Sequence, residues 1–207
     1  GRADYSGAFD PDFQLDDLSH AALVRVGREL AVQNHLLVRA LMMTVAERGG
    51  AAVAAQVGAT QWIGCGAVAS ERLRAALGLA GDDVETIAKV LQLHPAFVPV
   101  YLQHRVELSS PQRARLSIMD CDALAEGDGH SWYALLGAAP VPALDAMVQA
   151  INPRARCLAV AARAGERLAW EIVIDSAAEP APVPGAVAMV RATGTAQFVF
   201  SSRPRGG

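Results

Sequence analysis

The stretch VLQLHPAFVPVYLQHRVEL, residues 90–108, changes its hydrophobic period partway along. Up to Leu93 the apolar residues recur at helical spacing, and Pro95, which has no backbone N–H, prevents the helix from continuing. From residue 100 the period is two. Leu102, His104, Val106 and Leu108 fall on one side, and Tyr101, Gln103, Arg105 and Glu107 on the other, which is the pattern of a half-buried strand. Across this change sit His94, His104, Asp120, Cys121, His130, Trp132 and Tyr133, most of the reactive and aromatic side chains of the chain. A helical layer followed by a sheet, with such groups at the junction, implies a pocket between the layers.

Outward from that junction the two halves keep their characters. Upstream, Asp16, Asp17 or Ser19 can cap a first helix, because a short side-chain oxygen satisfies the free N–H groups of the first turn. Leu23, Val26, Leu30, Leu37, Leu41 and Val45 recur at helical spacing and predict one apolar stripe, ended by Gly49-Gly50. A second helical stretch covers residues 51–79. Gly58, Gly64 and Gly66 weaken it by about 1 kcal/mol each relative to alanine, and mark either a break or the close approach of a neighbouring backbone. Asp82 or Asp83 caps a third helix over residues 84–93.

Downstream, Ser109-Ser110-Pro111 turns the chain into residues 113–119, with Ala114, Leu116 and Ile118 inward. Residues 144–151 read as a short helix. A second hairpin joins residues 155–162 to 167–175, where Leu168, Trp170, Ile172 and Ile174 share a face. The fold class expected is α+β, with N-terminal helices packed on a C-terminal antiparallel sheet. The divisions are an N-terminal arm (1–16), pinned by Phe9 and Phe13, and a single domain (17–176) with a helical half (17–94) and a sheet half (99–176). An Ala/Pro linker and an extra hairpin (177–207) follow, its strands at 187–191 and 196–200 joined near Gly194.

Composition narrows the function. With 207 residues and 52% hydrophobic content the chain can bury a sizeable core. Net charge is -3, and Lys89 is the only lysine among 18 basic residues. That arginine bias, with abundant alanine, fits the codon usage of a GC-rich genome. No basic stripe appears, so nucleic acid is not an expected partner. Arg25, Arg28, Glu29 and Arg39 interrupt the best apolar run, so no membrane span is expected. Three well-separated cysteines, Cys65, Cys121 and Cys157, predict reduced thiols and a cytoplasmic location. Gly64-Cys65-Gly66 follows no strand and lacks the third glycine of a dinucleotide fingerprint. No GxSxG, phosphate loop or HExxH occurs. No cofactor and no metal is therefore expected.

The segment from Leu116 to Ile174 reads as strand, Cys121, loop, short helix, INPRARCLAV, a glycine turn, then RLAWEIVI. It resembles a superfamily of small α+β proteins that includes the L-2-amino-thiazoline-4-carboxylic acid hydrolase-like proteins and the 4-vinyl-reductase-type ligand-binding domains. The upstream run DLSHAALVRVGRELA, Trp62 and DDVETIAKVLQL fit the helical half. The resemblance implies helices on an antiparallel sheet enclosing a small-molecule pocket. Where relatives carry a cysteine at the start of the last strand this chain has Leu168. Where they carry one before the short helix it reads Ala139-Pro140-Val141-Pro142. Only Cys121 matches.

Each candidate residue has two readings. His104 is either a core histidine bonded to a neighbour or a pocket base, since an apolar cavity moves an imidazole pKa across neutrality. Asp120 caps a turn or orients His104. Cys121 is a small buried hydrophobe, or a thiolate activated by His130. Trp132 and Tyr133, after the Gly127-Asp128-Gly129 turn, tuck onto the core or wall a planar ligand. Gln33, Asn34 and His35 interrupt the first helix, and with Gln61 and Trp62 they face either solvent or ligand. Cys65 and Cys157 read as packed and inert, and Glu171 as solvated or paired with an arginine. The expectation is a small-molecule enzyme of specialised metabolism, working by hydrolysis or ring opening/closure through general acid–base catalysis. His104, Asp120, Cys121 and His130 would be catalytic, and Trp132, Tyr133, Asn34 and Trp62 would bind substrate. The alternative is a non-catalytic ligand-binding module or a companion subunit. Whether the chain forms a homodimer or a complex with a biosynthetic enzyme stays open.

Overall fold

The computed structural model describes residues 1–97, 102–125, 130–137 and 141–193. Six α-helices and four strands are present among them: α1 (His20–Gly49), α2 (Ala51–Ala76), α3 (Val84–Leu93), β1 (His104–Ser110), β2 (Arg113–Met119), α4 (Trp132–Leu136), α5 (Pro142–Gln149), β3 (Ala155–Ala159), β4 (Glu166–Ile174) and α6 (Gly185–Arg191). The fold is α+β, as the change of period implies.

Ser19 caps α1 by accepting from the Ala22 N–H, and Asp83 caps α3 by accepting from Thr86. Gly50, at φ 85°, reverses the chain directly into α2, so α1 and α2 form a tight hairpin. The helix α2 is unbroken. A Cβ on Gly64 would meet the Ala186 carbonyl oxygen at 2.8 Å, and one on Gly66 would meet Met147 at 2.6 Å. These glycines let α6 and α5 close on α2.

The sheet order is β1-β2-β4-β3, all antiparallel. Register sets Leu116 opposite Trp170, Ala114 opposite Ile172 and Ile118 opposite both His104 and Leu168. This face meets α3 and α5 and builds the main core with Val84, Ile87, Leu91, Phe97, Leu144 and Met147. The opposite face is polar and tied by Arg113–Glu171 (2.6 Å) and Arg115–Glu166 (2.5 Å). An antiparallel sheet tolerates one such wet face.

Several expectations are corrected. In α1 the buried residues are Ala22, Ala31, His35, Val38 and Met42, while Leu30, Leu37 and Leu41 are exposed. The strand β1 begins at His104, and Leu108, beside a register shift, is 54% exposed. Residues 187–191 belong to α6, not to a strand: Pro184 precedes the helix, and Val187 buries itself against Ala67, Val68 and Ala146. The other half of that hairpin, Gly194 and residues 196–200, lies outside the described residues, as do Val100, Tyr101, Gly127-Asp128-Gly129 and Ala139-Pro140. In the arm Phe9 is exposed, whereas Phe13 stacks on Tyr5 at 4.0 Å. No helix among the described residues is long and apolar enough to cross a membrane.

Candidate functional site

His104 opens β1 on the inward face, half-buried, its ring 5.4 Å from Phe97. Strand parity placed it on that side correctly. Burial lowers its pKa, and hydrogen bonding to the backbone of Leu91, Gln92 and Phe97 partly offsets that. Leu91 and Gln92 belong to the last turn of α3, whose carbonyls have no partner within the helix. The imidazole thus serves the C-terminal end of α3.

His94 is fully buried. Its Nδ1 accepts from the Ala96 N–H at 3.1 Å, which leaves the proton on Nε2, donating to the Gly66 carbonyl at 3.0 Å. This tautomer is assigned from the hydrogen-bond pattern. Burial takes the pKa down to about 4. A neutral His94 ties the end of α3 to the middle of α2.

Asp120 does not join His104. A register shift between Ile118 and Met119 ends the strict alternation, and Asp120 is exposed, its own N–H donating to Gly165. No hydrogen bond or ion pair links it to His104 among the described residues. Cys121 is half-buried at the margin of the core. Cys157 is half-buried with its thiol pKa raised, chiefly by burial, whereas Cys65 is exposed rather than packed. Asn34 is exposed too; the inward member of its triplet is His35.

The aromatic candidates do come together. Residues 132–136 form the short helix α4, capped by Ser131. Trp132 stacks on Trp62 of α2 at 4.5 Å, and Phe97 lies 6.4 Å from Trp132. Tyr133 stacks on His35 of α1 at 5.3 Å. A column of rings therefore runs from the α1–α2 hairpin through Phe97 to His94 and His104. Phe97 is the residue that sequence reasoning passed over. Its place three residues past a buried histidine, at the change of period, was the available signal.

A narrow cleft opens beside the column, lined by Val38, Met42, Trp62, His130, Ser131 and Trp132 among others. The space it encloses is about 10 Å³, so its walls are nearly in contact. His130, half-buried, also faces the C-terminal half of α1 around Ala40, Met43 and Glu47. The indole Nε1 atoms of Trp62 and Trp132 are both buried, with no hydrogen-bond partner among the described residues. No group of three or more His, Cys, Asp or Glu side chains suited to a metal ion occurs among the described residues.

No protein-family model, no curated protein and no solved structure matches this chain.

Proposed function

We propose that this protein is a ligand-binding module whose site is the aromatic cleft between α1, α2 and α4. Its ligand is a small planar molecule carrying hydrogen-bond acceptors. The observation that carries this reading is the stacked Trp62–Trp132 pair with two buried indole N–H groups, unpartnered among the described residues. A buried donor left unpaired costs about 1–3 kcal/mol, so an arrangement with two invites an acceptor between or beside the rings. The ring faces supply stacking area, and His130 and Ser131 supply polar atoms at the same cleft. The space inside the cleft is about 10 Å³, about one water molecule's worth, so a single ring enters only as the Trp62–Trp132 stack opens.

The general acid–base reading draws less support. His104 faces the end of α3, and Asp120 is exposed. Leu168, at the position where the resembling family carries a cysteine, points the same way.

The test is a titration with pyridine, 2-pyridone and benzoate, read by indole fluorescence and by thermal shift, on the wild type and on Trp132→Phe. The variant keeps a ring and removes one donor. A probe should bind the wild type and lose about tenfold in affinity in the variant, the equivalent of one net hydrogen bond. If no probe perturbs the wild type at millimolar concentration, or if the variant binds equally well, the reading fails.

A further inference from the structure

The sheet ends on one side in β1 and on the other in β3. A strand edge presents a row of unpaired backbone N–H and C=O groups, and folds usually block it. On β3 the Val160 N–H donates to the Ala169 carbonyl. Bonding alternates along an antiparallel ladder, so Ala155 and Cys157 turn their backbone groups away from β4. The Cys157 N–H donates to the Asp145 carboxylate at 2.8 Å, and the Ala155 carbonyl accepts from the Gln149 amide at 3.2 Å. Side chains of α5 thus close that edge.

Nothing comparable closes β1 among the described residues. There the Met119 N–H donates to the Gln103 carbonyl at 2.9 Å. By the same alternation Arg105 and Glu107 bond to β2, and the N–H and C=O of His104, Val106 and Leu108 point to the open side. None of these backbone groups has a hydrogen-bond partner among the described residues. The strand HRVELSS carries no proline or lysine, the usual guards of an edge. Its register shift comes only after Leu108.

We infer that β1 pairs antiparallel with β1 of a second copy of this chain, about a two-fold axis at Val106, and joins the two sheets into one. The edge itself selects this occupant and this register. With Val106 opposite Val106, Arg105 of each copy stands opposite Glu107 of the other on the polar face, and His104 stands opposite Leu108 on the inward face. Every open N–H and C=O of His104, Val106 and Leu108 then finds a partner. The Arg–Glu pairs fall at the positions without hydrogen bonds, where facing side chains are closest. An axis at Arg105 or at Glu107 would set like charges against each other, and an axis at His104 or Leu108 would separate both pairs. The edge is therefore complementary to itself, as a two-fold contact requires. Within one chain Glu107 meets Arg105 and Arg163 at 3.3 Å each. Those pairs are exposed, contribute little, and can exchange partners. The pairing is remote from the aromatic cleft and does not depend on what the cleft binds.

The experiment is light scattering of the full chain from micromolar to millimolar concentration, with two charge variants. The wild type should approach twice 21.7 kDa. Arg105→Glu and Glu107→Arg each set like charges opposite one another at both pairs, and each should weaken the dimer at least ~10-fold. Both sites are exposed enough that far-ultraviolet circular dichroism should not change. An equimolar mixture of the two variants restores opposite charges at every pair, so it should dimerise as the wild type does. Amide exchange at His104, Val106 and Leu108 should slow as the wild-type concentration rises. A wild type that stays monomeric at every concentration, as it would if a different protein completed the sheet, overturns the inference. So do single variants that dimerise as well as the wild type, a mixture that fails to pair, or edge amides whose exchange ignores concentration.

Discussion

At the scale of single residues, two histidines that the sequence sets ten residues apart meet around Phe97 and serve as structural ties. Strand parity could read that His104 faces inward. It could not read that the last turn of α3 ends against it, because that contact joins elements on either side of an irregular segment. His94 has a measurable consequence. Its pKa is near 6.5 in the unfolded chain and about 4 in the fold. Between those values the unfolded chain takes up a proton that the folded protein refuses. The contribution of a neutral His94 is therefore complete above pH ~6.5 and declines as pH falls towards 4, by on the order of 3 kcal/mol. Urea midpoints should drop steadily from pH 7 to pH 4.5. His94→Gln, less stable at pH 7, should show a flatter profile over the same range. Equal slopes for both proteins would remove His94 as the cause. Glu166 acts in a separate window: its hydrogen bond with Arg115 holds its pKa near 2 from 4.5, so its contribution is lost only on further acidification below pH ~4.5.

At the scale of elements, α3, α5 and both hairpins were legible because each has an unambiguous period, cap or stop. The buried face of α1 was not. Its leucines attract the eye, yet Ala31, His35, Val38 and Met42 face α2 and α4, where close packing favours some small side chains. The failure at α6 has a related origin: five residues of Ala, Val and Met, 186–190, pass for a strand, and only contact with α2 resolves them. Gly64 is the hinge of that contact, since the atom nearest its missing Cβ is the Ala186 backbone oxygen, which no side-chain rotation can move. Gly64→Ala would gain about 1 kcal/mol of helix propensity but force α6 off α2. The net expected is a loss of about 1–3 kcal/mol, with faster proteolysis of the C-terminal segment than of the helical hairpin. A rise in thermal midpoint would show instead that α6 yields at no cost.

At the scale of the molecule, the column of rings joins the two halves alongside the aliphatic core of Val84, Ile87, Leu91, Leu144 and Met147 that packs helices on the sheet. The sequence located this junction through its change of period and named His104, Trp132, Tyr133 and Trp62 there. It could not tell which of the reactive groups nearby would turn inward. A register shift of a single residue carries Asp120 out to solvent, and Asn34 sits one position before the inward-facing His35. Among the described residues, Phe97, at 1% exposure, is the ring that touches His94, His104 and Trp132 together. Removing it opens a cavity between the helical and sheet layers and frees the wall of the cleft at once. Phe97→Ala should cost about 3–5 kcal/mol. Phe97→Leu, which refills most of the volume but not the ring, should cost less and leave Trp132 less firmly stacked on Trp62. Paired with Trp132→Phe, the substitution Phe97→Leu should be non-additive by more than ~0.5 kcal/mol, because the two residues share contacts. Strict additivity in denaturant unfolding would mean that the layers are coupled elsewhere, and the column would then be a row of neighbours rather than a connection between the two halves.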